Sequence, residues 1–403
     1  MAATTAPEVA DVIAAVDGDP VLSATLTTRS ATGTTPGKLS AMVGPQPAEN
    51  AGHLDVGHLA ARPGVESDAV ARWLTEHIAG SRPPYRFTLL AGGRSNLTYR
   101  VVDAAGNAFV LRRPPLGHLL PSAHDMSREH RIISALRPTG VPVAAPLGFC
   151  DDPQVSDRPF YVMSFVDGHI LRNPDDAAAL PVQTRRRASE SVVDVLVDLH
   201  ALDVDAIGLG SLGKRDGYIE RQLKRWHGQF GDSKTREVPL VDDVHERLLA
   251  HVPMQQGCSV VHGDYRLDNT LIDAGGKVAA VLDWEICTLG DPLADLGLLL
   301  VYWPEAGDTA PPLGEAATQT EGFATKAELR DRYGARSGRD VSQLDYYLAF
   351  GYWKLACILE GVYARYRSGA MGEDGYDFTV LHDQVPQLAD AAHETLRQLE
   401  RAS

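Results

Sequence analysis

Apolar and polar positions along the chain follow one period up to about residue 166 and another after it. In "ESDAVARWLTEHI", Val70, Trp73, Leu74 and Ile78 share one helical face, and Ser67 or Asp68 stands where an N-cap belongs. Strand-like segments follow: "RFTLLAGG", "TYRVVD" and "AFVLRR", the last two joined by the turn "DAAGN". An amphipathic helix, "SREHRIISAL" (127–136), interrupts them before two more apolar strands, "PLGFCDD" and "FYVMSFVDG". From residue 183 the period becomes helical, with long helices predicted over 183–202, 217–229, 240–252, 342–366 and 377–401. The strand signals of this half are "SVVH" and the hairpin arms around "LIDAGGKVAAVLDW". The fold class expected is therefore α+β: a small antiparallel β lobe with one inserted helix, over 53–166, and a larger, mostly helical lobe over 167–403. Residues 1–52, rich in Ala, Thr, Gly, Pro and Ser without a sustained period, are expected to form a poorly ordered tail.

Composition narrows the partners. The apolar fraction of 44% and charged fraction of 23% are those of an ordinary globular protein. A formal charge of -15, from 53 acidic against 38 basic residues, repels phosphate backbones and anionic lipid, so neither nucleic acid nor membrane is an expected partner. Any anionic ligand must then be held by a local arrangement of amides, a placed arginine or a cation. Cys150, Cys258, Cys287 and Cys357 show no metal-ligand or C-x-x-C spacing and are expected as free thiols. No basic n-region precedes an apolar h-region, and the most apolar stretch, "LADLGLLLVYW" (293–303), is too short to span a bilayer. A cytoplasmic setting is expected.

The chemistry concentrates in "VVHGDYRLDNTLID" (260–273), a polar loop between two apolar strand-like pairs. Asp264 and Asn269 lie five apart in it, and Asp283 ends the second arm of the hairpin that follows. A magnesium nucleotide needs one or two hard oxygens from the protein, which Asn269 and Asp283 can supply. Asp264 is then free to orient a substrate hydroxyl and accept its proton. Upstream, the glycine turn in "LAGGRSNLTYRV" (90–101) can turn backbone amides toward phosphate, with Ser95 and Asn96 as further donors. In "FVLRR" the alternation of a strand sends Arg112 and Arg113 to opposite faces, so one of them can enter an interlobe cleft. Glu129, on the inserted helix, is placed to pair with it.

Taken together, these segments resemble the aminoglycoside phosphotransferase-like branch of the protein-kinase-like fold. "H-G-D-x-x-x-x-N" at 262–269, "L-D-W-E" at 282–285 and "DPLADLG" at 291–297 carry the resemblance. The fuller pattern, including "LRRPP" and "SAHD", is most similar to the kinase-like domain fused to acyl-CoA dehydrogenases. The resemblance implies a two-lobed kinase-like fold, ATP and Mg2+ as cofactors, and transfer of the γ-phosphoryl group to a small-molecule hydroxyl acceptor, such as a hydroxyacyl-CoA. Alternatives are an aminoglycoside phosphotransferase and a nucleotide-binding protein of the same fold without turnover. It also implies roles. Asp264 is the base, and Asn269 and Asp283 hold the metal. Ser95 and Asn96 cover the phosphates, Arg112 contacts them where most kinases place a lysine, and Glu129 holds Arg112. The backbone of Ser164, Phe165 and Val166 reads adenine. His262 packs behind the metal-binding aspartate, Asp295 accepts amides of the loop, and Asp268 has no assigned role. The acceptor pocket is expected against the aromatic-rich stretch 345–366, although those aromatics are equally readable as helix core.

Overall fold

The structure is a computed structural model, and it describes residues 65, 67–91, 96–115, 125–308, 311–371 and 376–402. The tail expected over 1–52 lies outside the described residues, as does Ser95.

Helix α1 (Asp68–His77) begins where the sequence places its cap, with the Ser67 hydroxyl accepting the Val70 amide. It lays Val70, Trp73 and Leu74 on a five-stranded antiparallel sheet. The strands are β1 (Arg86–Ala91), β2 (Leu97–Val102), β3 (Ala108–Arg113), β4 (Pro146–Cys150) and β5 (Phe160–Ser164), in the order β1-β2-β3-β5-β4. Leu97, Tyr99 and Val101 alternate inward to a core shared with Phe87, Phe109, Leu111 and Trp73. The register sets Thr98 opposite Arg112, so this pair faces the other side of the sheet.

Helix α2 (Met126–Leu136), capped by Asp125, is the inserted helix, yet its packing crosses the boundary drawn at residue 166. Ile132, Ile133 and Leu136 are buried in the large core of the helical half, together with Val141, Val143 and Tyr161. Two arginines fasten the same helix to that half. Arg128 donates to the carbonyls of Glu285 and Cys287, and Arg131 donates to Gly208 and Ser211.

The helical lobe contains α3 (Pro174–Ala178), α4 (Val182–His200), α5 (Tyr218–Ser233), α6 (Pro239–Ala250), α7 (Pro292–Val301), α8 (Lys326–Ser337), α9 (Leu344–Arg367) and α10 (Val380–Ala402). Two small ladders carry the loop of interest. Strand β6 (Ser259–Val261) pairs antiparallel with β9 (Thr288–Gly290), and β7 (Thr270–Ile272) pairs antiparallel with β8 (Val278–Val281). Every residue of α7 is buried, and α9 crosses it at close range. Gly297 permits the crossing, because a Cβ there would lie 2.6 Å from the Tyr347 carbonyl oxygen. No described helix is long and apolar enough to cross a membrane, and all four cysteines are free.

Candidate active site

The loop after β6 is held from behind. The turn at Gly263 needs a left-handed backbone (φ 86°), which glycine adopts without Cβ strain. Asp295, in the first turn of α7, accepts the His262 amide at 2.6 Å and the Gly263 amide at 2.9 Å. Burial alone would raise its pKa, but hydrogen bonds from His200 and the loop hold it below the ordinary carboxylate value. His262 is fully buried. Its Nδ1 accepts the Asp264 amide, so Nε2 carries the proton donated to the Leu282 carbonyl at 2.8 Å. The imidazole thus links the catalytic loop to the residue before Asp283.

Asp264 is buried, and its two oxygens differ. Oδ2 accepts the Asn269 side-chain amide at 2.8 Å and lies 3.2 Å from Arg266 Nε. Oδ1 has no hydrogen-bond partner among the described residues. Burial pushes the carboxyl up to about 6, with Arg266 pulling the other way. A carboxylate with one free oxygen and a pKa near the working range is what a general base requires.

Asn269 ends a short 3-10 turn (Leu267–Asn269), and its backbone carbonyl accepts the Leu282 amide, which sets Asp283 beside it. Its side-chain nitrogen also donates to the Asp264 backbone carbonyl, which leaves the amide oxygen as the atom able to ligate a cation. Asp283 has φ 62° and is the one non-glycine with positive φ among the described residues. Strain of this kind persists where the surroundings over-determine a side chain's position.

The sheet contributes Arg112, on the face opposite the small-lobe core. Its guanidinium lies 2.7 Å from Asp283 Oδ1, 3.1 Å from Glu129 Oε2 and 3.7 Å from Glu285 Oε2. Burial opposes its charge, but the three carboxylates outweigh that and hold it protonated. Arg113 turns the other way, to Asp157. Glu129 also accepts from the Tyr161 hydroxyl at 2.9 Å. Burial pushes its carboxyl above the ordinary value, and the Arg112 charge pulls against that.

Several expected residues sit differently from their assignments. Asn96 is buried, and its side-chain nitrogen donates to Glu129 Oε1 and Glu285 Oε2, so the expected phosphate-covering amide is engaged with two carboxylates instead. The Ser164 amide and hydroxyl are both occupied by Ala145, which removes that amide as an adenine donor. Outside the sheet ladder, no main-chain hydrogen bond engages Phe165 or Val166 among the described residues. The Phe165 ring lies under Arg100.

Most of the aromatic stretch expected to line an acceptor pocket is core, with Tyr352 and Tyr363 half-buried. Tyr346, Tyr347 and Trp353 are fully buried, with their polar atoms bonded to Leu248, Asp291 and Val241. Glu360 is buried against Thr235. The cleft that does adjoin the catalytic loop has a volume of about 380 Å³ and lies between Arg266–Asp268, Tyr302 and the segment from Pro311 to Thr318. Its walls mix apolar residues, among them Leu171, Leu267, Val301 and Leu313, with charged ones, Arg172, Arg266, Asp268 and Glu315.

The sequence reading missed Arg266, Glu285 and Tyr302. Arg266 spans Asp264 and Asp268 (2.9 Å to the latter) and stacks on the Tyr302 ring, so Asp268 has a duty after all, which is to restrain that arginine. An arginine midway between two aspartates, each two residues away, was the available signal. For Glu285 the signal was a second carboxylate two residues past Asp283.

No group of three or more His, Cys, Asp or Glu able to hold a metal occurs among the described residues. A nucleotide-borne magnesium needs fewer protein oxygens, and the hard oxygens of Asn269 and Asp283 fit that requirement.

A family model described as the phosphotransferase enzyme family matches residues 86–345. Mouse acyl-CoA dehydrogenase family member 10 is 35% identical over 311 residues, covering 76% of this chain and 29% of the relative. Rat acyl-CoA dehydrogenase family member 11 is 34% identical over 338 residues, covering 81% of this chain and 42% of the relative. The chain thus spans less than half the length of either. Among solved structures, a Ralstonia eutropha protein provisionally assigned as an aminoglycoside phosphotransferase superposes with a TM-score of 0.69 at 30% identity, covering 82% of this chain and 98% of that one. A choline kinase from Cryptosporidium parvum shares the fold, with a TM-score of 0.56 at 12% identity and coverage of 82% and 96%. The chain belongs to the phosphotransferase enzyme family and has its two-lobed, kinase-like α+β fold.

Proposed function

We propose that the protein is a small-molecule kinase that transfers the γ-phosphoryl group of ATP to a hydroxyl of a metabolite. The observation that carries this reading is Asp264: a buried carboxylate with one oxygen fixed by Asn269 and the other unpartnered, in a loop whose residues Arg266–Asp268 line a cleft. Asp264 takes the proton of the acceptor hydroxyl as its oxygen forms a bond to the γ-phosphorus. The bond to the β-bridging oxygen breaks, and its electron pair leaves with ADP. Arg112, kept in place by Glu129, meets the phosphate charge. Phe165 and Val166 supply free backbone groups at the adenine edge. When bound through Asn269 and Asp283, Mg2+ supplies positive charge to the phosphate oxygens.

The apolar part of the cleft wall and its two arginines, Arg172 and Arg266, favour an alcohol bearing an apolar arm, a hydroxyacyl-CoA among them, over a polycationic aminoglycoside. Kinship with acyl-CoA dehydrogenase family members points the same way. The partners are then small molecules of the cytoplasm, without nucleic acid or membrane. Asp264, Asn269 and Asp283 are all present, which weighs against a fold kept for binding without turnover.

The test is ATP consumption with hydroxyacyl-CoAs, amino alcohols and aminoglycosides as acceptors. Asp264→Ala should lower transfer by about 10²- to 10⁴-fold while MgATP still binds. Turnover surviving in that variant would remove the assigned base.

A further inference from the structure

The Tyr302 hydroxyl is buried and has no hydrogen-bond partner among the described residues. A buried unpaired hydroxyl is destabilising, so its retention asks for an explanation. Three observations place it at the chemistry. Tyr302 immediately follows α7, seven positions after Asp295, which is close to two helical turns and therefore the same face of the helix. Asp295 uses that face to hold the catalytic loop. The Arg266 guanidinium, which also contacts Asp264, lies 4.9 Å from the centre of the Tyr302 ring, and the ring lines the cleft beside Arg266 and Asp268. Burial, reinforced by the Asp264 charge, holds the phenol well above its ordinary pKa, so it stays a neutral donor.

Resting on the phosphotransferase reading above, we propose that Tyr302 is a specificity-determining residue whose hydroxyl donates to a second oxygen of the acceptor. That oxygen would be a carbonyl or hydroxyl a short distance from the alcohol that Asp264 deprotonates. The acceptor class is therefore a bifunctional oxygen compound rather than a simple alcohol. Tyr302 and Asp264 both adjoin Arg266, so engaging both fixes which hydroxyl of the acceptor is presented. The phenol completes its hydrogen bonding only when such an acceptor is bound.

The experiment compares wild type with Tyr302→Phe, which keeps the ring under Arg266 and removes only the oxygen. The probes are chain-matched simple alcohols, diols and hydroxyacyl thioesters, with MgATP as donor. The inference expects KM to rise about tenfold for acceptors with the second oxygen. It expects no change for simple alcohols or in the KM of ATP, and a melting temperature in the unliganded protein equal to or above that of wild type. Equal effects on every acceptor, or a lowered melting temperature, would identify a structural hydroxyl and overturn the inference alone. Absence of transfer by wild type to any probe, despite tight MgATP binding, would overturn the phosphotransferase reading and this inference with it. Tyr302→Leu, which also removes the platform under Arg266, separates the two contributions: it should lower kcat for every acceptor, where Tyr302→Phe should not.

Discussion

Arg266 illustrates how little of a side chain's duty is written in its residue type. Its guanidinium contacts Asp264 and Asp268 and stacks on Tyr302, so it restrains both the proposed base and one wall of the cleft. A lysine retains the charge but has neither the planar fork nor the flat face. Arg266→Lys should therefore lower kcat by about tenfold or more, with MgATP affinity unchanged by calorimetry. A kcat equal to wild type would mean that Asp264 is positioned by Asn269 alone. The spacing of Asp264, Asn269 and Asp283 was legible because those residues sit in one loop and one hairpin arm. Glu285 and Tyr302 were not, because their partners Asn96 and Arg266 are remote in sequence and only the folded chain brings each pair together. The partners of Asn96 were hidden for the same reason: a polar residue beside a glycine turn suggests phosphate, and nothing local announces two carboxylates arriving from elsewhere.

Among the elements, α7 has the most demanding position. It is buried all round, its N-terminal turn holds the catalytic loop, and the residue after it lines the cleft. Its depth depends on Gly297, where α9 passes too close for a methyl group. Gly297→Ala forces backbone against backbone, which should destabilise the protein by about 1–3 kcal/mol or more, read as a lowered melting temperature. An unchanged melting temperature would show that the two helices can separate freely. The five long helices of the second half and the strands of the first were readable from period alone. Helix α8 was not, since few of its residues are apolar. Its evidence was the Thr325–Glu328 capping box, a short-range signal that hydrophobic periodicity passes over. The aromatics of α9 were readable as core or as pocket, and for Tyr346, Tyr347, Phe350 and Trp353 burial decides for core.

At the scale of the molecule, the boundary drawn from sequence and the boundary drawn by packing differ. Helix α2 lies in the first half of the chain but packs its apolar side into the core of the second, and Arg128 fastens it to the segment carrying Glu285 and Cys287. The helix and the Asp283 hairpin should therefore move as one body, with the sheet moving against both. Hydrogen exchange on adding MgATP should then change in β1–β3 and scarcely in α2. Arg128→Met removes the fastening and should raise the KM of ATP and increase exchange in α2; unaltered exchange there would show that apolar packing suffices. Sequence could not supply this division, because chain order says where a helix is made and not which core receives it.

The two sides of the cleft beside Asp264 have different structural freedom. One side is α7 and the catalytic loop, buried, with the His262 and Gly263 amides tied to Asp295. The other is the proline-bearing segment from Pro311 to Thr318, of which only Ala317 and Thr318 belong to a helical turn (Ala317–Gln319). On the proposed function, redesign of the acceptor range should therefore concentrate on that segment: exchanging it between relatives should change which acceptors are used and leave MgATP binding unchanged.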